Sequence, residues 1–314
     1  MAFRLERGES VITGVQRVAR EEMESAGAKL GGSISSDKAI HEARKSMKKI
    51  RALLRLMKEE LRGVDPGENV RLRDIARRLS HYRDSFVMVE TLDDLKKHFR
   101  AETYRKLGSV RAALIKRRSE AGREEDRLIV IEHAAAALTM AATRVAGWKL
   151  RTEGYAALTP GLERTFRGGR TALALATENP TADSLHDLRK KVKDHWYHIR
   201  LLENLWTDVM IAYEKSLKDL ETWLGNDHNL AVLRERVVAE PAFYGTRKDT
   251  DLLLDLIDRY QTELRDASMA LAARVYADKP GEFVARMGHL WDAWKHEGDD
   301  WKHEPGFEQS STAA

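Results

Sequence analysis

Apolar residues recur at helical spacing through most of the chain. In "HEARKSMKKIRALLRLMK", His41 to Lys58, the residues Ile50, Leu53, Leu54 and Met57, with Leu61 beyond them, gather on one side of a wheel drawn at about 100° per residue. Arg44, Lys45, Lys48, Ala52 and Arg55 fall within roughly 60° of His41 on the other side. The pattern predicts a helix with an apolar back and a cationic front. A second stretch, "HDLRKKVKDHWYHIRLLE", His186 to Glu203, repeats it. Here His186, Arg189, Lys190, Lys193 and Arg200 make the front, and Leu188, Val192, Ile199 and Leu202 the back. His195 falls on the apolar side and reads as a core histidine. His198 lies on the flank, where the pattern decides nothing.

Clusters of Gly, Pro, Asn, Asp and Ser interrupt the periodicity at 31–37, 63–68, 121–126, 152–161, 177–183, 224–229, 239–246 and 278–282. Such clusters end helices. Asp37 and Asp183 read as N-caps of the two basic helices. No segment alternates with the period of a strand, so the expected fold is all-α. Residues 305–314 read as a disordered tail.

The two basic helices are related by a gap-free shift of 145 residues. His41 falls on His186, Arg44 on Arg189, Lys45 on Lys190, Lys48 on Lys193 and Arg55 on Arg200. The register continues into the next helix, where Leu72, Asp74, Ile75 and Leu79 fall on Leu217, Asp219, Leu220 and Leu224. Earlier, "GVQRVAR" (14–20) resembles "GLERTFR" (161–167). The chain therefore reads as two similar halves, 1–155 and 156–304, each a four-helix-type bundle because short loops favour antiparallel neighbours; if a pseudo-twofold axis relates them, the two stripes face a shared groove.

Composition changes this picture little. The chain has 314 residues, 42% of them hydrophobic and 33% charged, which provides a core beneath a charged surface. The absence of cysteine excludes disulfides, thiolate metal sites and cysteine nucleophiles. No window holds eighteen consecutive apolar residues and the first ten residues lack the apolar core of a signal peptide, so neither a membrane span nor export is expected and a cytoplasmic address is. The net charge of +4 is small; its placement carries more meaning. Seven of the fifteen residues from Arg44 to Lys58 are basic and none is acidic. Such a stripe repels itself unless acids stand nearby, and a bound polyanion relieves the repulsion. A passive solvated face is the bland alternative. The recurrence of matching residue types at five positions favours an anion-binding surface.

His41 and His186 stand at the N-terminal ends of the fronts, where each can donate to a phosphate oxygen or merely bond a neighbouring loop. Secondary phosphate candidates are Arg17 and Arg20, and Arg164, Arg167 and Arg170, on the first helices of the two halves. Arg83 and His228 lie in the paired segments "LSHYRDSFVMV" (79–89) and "LGNDHNLAVLR" (224–234). Those segments read as loops in which Asp84 and Asn229 cap the next helix.

These stretches resemble the CHAD family, the conserved histidine α-helical domain. The likeness rests on His41–Lys58, on "LHDLRKKVKDHWYHIRLLENLW" (185–206), on "LGNDHNLAVL" (224–233) and on "RVYADKPGEFVARMGHLWDAW" (274–294), and covers roughly residues 10 to 296. It implies two four-helix bundles about a pseudo-twofold axis and binding of inorganic polyphosphate through basic residues, often at polyphosphate granules. Carried onto this chain, the family histidines are His41 and His186, and the basic positions are Arg44, Lys45, Lys48, Arg55, Arg189, Lys190, Lys193 and Arg200. Ser80, where the second half has Gly225, departs from the pattern.

Two other classes remain. A single-stranded RNA module wants aromatics among its cations; Tyr197 lies on the second stripe and Trp196 on its flank, but the first stripe has none. A scaffold docking acidic proteins wants the same basic surface. An enzyme is not expected. The chain has no Glu-x-x-His pair, P-loop, G-x-S-x-G or H-E-x-x-H, and no E-x-E-x-K strand of the triphosphate tunnel enzymes that accompany CHAD domains. No cofactor and no metal are expected.

Overall fold

A computed structural model describes residues 3–32, 37–64, 67–103, 106–119 and 124–296. The first half runs α1 (Val11–Leu30), α2 (Asp37–Leu56), β1 (Leu61–Arg62), α3 (Glu68–His98), α4 (Arg100–Thr103), α5 (Gly108–Ser119) and α6 (Glu124–Arg144). After β2 (Lys149–Leu150), the second half runs α7 (Thr159–Glu178), α8 (Ala182–Leu201), α9 (Thr207–Ala239), α10 (Pro241–Tyr244), α11 (Arg247–Val275) and α12 (Pro280–His296). Among the described residues the fold is all-α apart from one antiparallel pair, in which Leu61 faces Leu150 and Arg62 faces Lys149. That pair is too short to leave a period in the sequence.

The apolar backs behave as their periodicity requires. Ile50 and Leu53 of α2 and Leu188, Val192 and Ile199 of α8 are buried in one core. This core joins α1, α2 and α6 to α7, α8 and α12. A second core forms where Leu92 and Leu95 of α3 and Val110 of α5 meet Leu233 of α9 and Leu256 of α11. Each core draws on residues from both sides of residue 155.

The segments at 79–84 and 224–229 are not loops. α3 and α9 run through them without a break, so positions 84 and 229 stand inside helices and not ahead of a new one. The reason is visible in α9. Asp227 is 2% exposed, and its Oδ1 accepts from Gln261 Nε2 at 3.0 Å and Arg265 Nε at 2.7 Å. A residue that competes with helix locally is here satisfied by α11, and tertiary partners override propensity. The cap of α8 also differs from expectation. Thr181 accepts from Ser184 N and Ser184 bonds back to Thr181 N, a capping box, which leaves Asp183 in the first turn. Asp37 is the first residue of α2 and accepts from Arg127 Nη2 at 2.8 Å. The tail at 305–314 lies outside the described residues.

Among the described residues one helical stretch, Arg127–Gly147, is long and apolar enough to cross a membrane, with a mean hydropathy of 1.4. In the fold its inward residues Ile131, Ala134, Leu138 and Ala141 enter the main core, while Ile129 and Met140 face outward.

The halves are fastened where α2 ends. Leu5 N donates to Leu201 O at 2.9 Å, His198 Nε2 meets Ala52 O at 3.0 Å, and Arg164 Nη2 donates to Arg55 O. Ala52, on the front of the wheel, is therefore fully buried. The fronts of α2 and α8 turn toward each other, not outward.

Candidate anion-binding clefts

Two clefts meet at Lys48. The larger, about 1200 Å³, is lined by Lys48, Arg51 and Arg55 of α2, Arg73 of α3, Arg164 and Arg167 of α7, and Lys190, Lys191 and Lys193 of α8. The smaller, about 370 Å³, is lined by Arg44 and Lys48, by Glu90, Thr91 and Asp94 of α3, by Arg189, and by Asn226, His228 and Asn229 of α9. Cations from both halves thus share one trough. Burial and the nearby charges of Lys193, Arg44 and Arg189 push the Lys48 ammonium from the ordinary 10.5 down to about 7.

Most of the other front cations have carboxylate partners, four of them on other helices and two three residues away on their own. Arg55 grips Asp194 of α8 with two bonds, Nε to Oδ2 at 2.7 Å and Nη2 to Oδ1. Arg189 Nη2 and Lys193 Nζ both reach Glu221 Oε1 on α9, at 3.2 and 2.5 Å. Arg200 stands 3.8 Å from Glu214, Lys190 pairs with Asp187 at 2.7 Å, and Lys45 lies 3.9 Å from Glu42. Self-repulsion is thereby relieved at many positions without a ligand. Among the described residues no carboxylate forms an ion pair with Lys48.

The remaining predicted residues disperse. His41, Lys45 and Arg200 line neither cleft. His186 stacks on His228 with ring centroids 4.2 Å apart, in a separate hollow reaching Arg265. Burial, followed by His228, Lys190 and Arg189, holds His186 down at about 4. Arg17 is occupied by Glu9 and the Arg4 carbonyl, and Arg20 is exposed on α1 outside both clefts. Arg164 ties α7 to the end of α2 and pairs with Glu59, while Arg167 pairs with Glu163 at the rim. Arg170 donates to the carbonyls of Tyr276, Ala277 and Asp278 and closes the end of α11. The side chain of Arg83 lies outside the described residues. His195 is core, 1% exposed among Phe166, Tyr276 and Phe283. His198 is core as well, bonded to Ala52 O.

Sequence reasoning missed Arg51, Arg73 and Lys191, which line the larger cleft, and Glu90 and Asp94, which line the smaller. Arg51 sits just beyond the wheel's front sector, and a wider sector would have caught it. The α3 residues gave no signal, because what faces the trough depends on how α3 crosses α2. Among the described residues no group of three or more His, Asp and Glu is placed to hold a metal ion.

The family model described as CHAD domain matches residues 20–238. The chain belongs to the CHAD family. The match takes in α2, α8 and nearly all of α9 and stops before α11 and α12, so the segment 274–294 lies beyond it. A solved structure, "PptA from Streptomyces chartreusis", is similar over 90% of this chain and 100% of its own, at 13% identity and a TM-score of 0.50. At that identity the likeness speaks for the fold alone. No curated protein matches the chain.

Proposed function

We propose that this CHAD-domain chain binds inorganic polyphosphate, without turnover, in the trough over Lys48. The observation that carries the reading is the convergence of Arg44, Lys48, Arg189 and Lys193 from both halves, where burial first and the neighbouring cations second hold Lys48 near 7. Crowded cations disfavour their own charge, and a polyanion reverses that. A phosphate chain has no bases, so it needs cations along a groove and no stacking platform. The aromatic ring that sequence placed on the second stripe lines the larger cleft but offers little surface to a base: Tyr197 is 2% exposed and stacked on Trp196. That favours polyphosphate over single-stranded RNA. The same trough supports docking of the chain on polyphosphate granules in the cytoplasm.

The reading includes descent of the halves from one duplicated unit about a pseudo-twofold axis. Helix lengths support it: α1 and α7 have 20 residues each, α2 and α8 have 20 each, and α3 and α9 have 31 and 33.

The test is a salt titration of binding to polyphosphates of several lengths. Four engaged cations give a slope of about −3 in log K against log salt, by analogy with about −0.7 per phosphate for single strands. Arg44→Gln with Lys48→Gln removes binding while leaving Glu221 paired and the helix content unchanged. Displacement of long-chain polyphosphate by single-stranded RNA at equal phosphate, or phosphate release with Mg²⁺ or Mn²⁺, overturns the assignment.

A further inference from the structure

The smaller cleft differs in kind from the larger one. Its α3 wall is a single helical face, since Val87, Glu90, Thr91 and Asp94 stand at i, i+3, i+4 and i+7 and all line it. Two of these four are acids, and both are exposed. In the larger cleft the carboxylates of Asp187 and Asp194 are already taken, by Lys190 at 2.7 Å and by Arg55. Among the described residues no cation pairs with Glu90 or Asp94. They share a space of about 370 Å³ with Arg44, Lys48 and Arg189, and with the amides of Asn226 and Asn229. That volume suits a small molecule.

A polyphosphate chain has no use for these acids. Its internal phosphoryl oxygens at neutral pH only accept hydrogen bonds, as carboxylates do, so each acid repels it. A ligand that satisfies the whole lining carries an anionic group for Lys48 and its neighbours Arg44 and Arg189, and donors for Glu90 and Asp94. Hydroxyls are such donors, and they bond most strongly to a charged acceptor. Ammonium donors would meet Lys48 and the two arginines, which disfavours them. The amides of Asn226 and Asn229 serve as donor or acceptor.

We infer that the smaller cleft is a site for a small phosphate ester rich in hydroxyls, of the sugar-phosphate class, beyond the polyphosphate reading and independent of it. The phosphoryl group lies at Lys48, and the hydroxyls reach Glu90 and Asp94. Lys48 lines both clefts, so such an ester and a polyphosphate chain exclude each other there.

Calorimetric titration in EDTA at pH 7 compares glucose 6-phosphate with ethyl phosphate, which has the same anionic group and no hydroxyl. The proteins are the wild type and a double variant, Glu90→Gln with Asp94→Asn. Both positions are exposed, so the substitutions spare the core. The wild type binds glucose 6-phosphate about tenfold or more tighter than ethyl phosphate. The double variant loses that preference. Long-chain polyphosphate binds the double variant more tightly, because two repelling charges are gone. Equal affinity of the wild type for the two esters overturns the inference, as does a preference that survives in the double variant. Weaker long-chain binding by the double variant overturns it too, since the acids then serve the polyphosphate. Failure of the wild type to bind polyphosphate sinks the polyphosphate reading alone, and the two esters still decide this site.

Discussion

Replacing Lys48 with methionine should make the protein more stable and a poorer binder at once. Methionine keeps the length and the apolar stem of the lysine and removes the charge. The ammonium of Lys48 is held near 7, against an ordinary 10.5, by burial and by Lys193, Arg44 and Arg189. At about 1.4 kcal/mol per pH unit, that span sets a ceiling of about 5 kcal/mol on what the charged lysine costs the fold. Water in the trough screens much of this, and about 1–3 kcal/mol is the expected gain at pH 7. The sign follows from proton counts. Between about 7 and 10.5 the unfolded chain binds more protons at this position than the folded one, so stability rises with pH across that window. Below 7 both states are protonated and the full cost is present. The advantage of Lys48→Met over the wild type is therefore largest at pH 7 and below, and fades toward pH 10. Urea unfolding of both proteins at pH 7 and pH 10 measures it, and polyphosphate titration of the same samples measures the loss of affinity. A variant that is less stable at pH 7 and binds as well as the wild type refutes the reasoning, because Lys48 is then a packed structural residue and not a strained receptor for charge.

Other consequences are equally direct. Binding of polyphosphate at pH 8 takes up about one proton, because Lys48 is mostly neutral there and the ligand restores its charge; calorimetry in buffers of different ionisation enthalpy reads the uptake, which nearly vanishes at pH 6. His195 and His198 are held neutral by burial at about 3 and about 4. Their contribution is intact above 6.5 and is lost as pH falls toward 4, and His195→Gln flattens the melting-temperature profile in that window while His195→Asp lowers it at every pH. Gly161→Ala places a Cβ 1.8 Å from the backbone oxygen of Leu56, so the end of α2 must separate from the start of α7, at a cost of about 3 kcal/mol or more in a denaturation midpoint measurement. Arg55→Gln and Asp194→Asn, compared singly and together, show coupling in a double-mutant cycle of stability and little further loss in the double variant.

What the chain discloses before folding depends on the range of the interaction. α2 and α8 are legible because a helix writes its apolar back into its own sequence every three or four residues, and because the second copy of that pattern falls 145 residues on in an unbroken register. α9 is misread at 224–229 because Asp227 is satisfied by Gln261 and Arg265 of α11, residues that no local window contains. The front of α2 is legible as basic but not as paired, since the partner of Arg55 is Asp194 on the other helix. Lys48 illustrates the limit most clearly. On the wheel it is one cation among four, and only the crossing of α2 over α8 sets it against Lys193.

That crossing creates a difficulty that a single helix does not have. Two copies of one cationic front, brought face to face, place four positive charges in one trough. Each like-charged pair at about 4–8 Å costs about 2–4 kcal/mol at an effective dielectric constant of 20. A chain with no acid beneath either copy would strain its own interface. Glu221 of α9, beneath α8, answers Arg189 and Lys193, and Glu90 and Asp94 of α3 line the smaller cleft together with Arg44 and Lys48. Acids supplied by α3 and α9, helices that cross the basic fronts, therefore enter the trough from both halves, and its charge balance is set by tertiary packing that neither front contains.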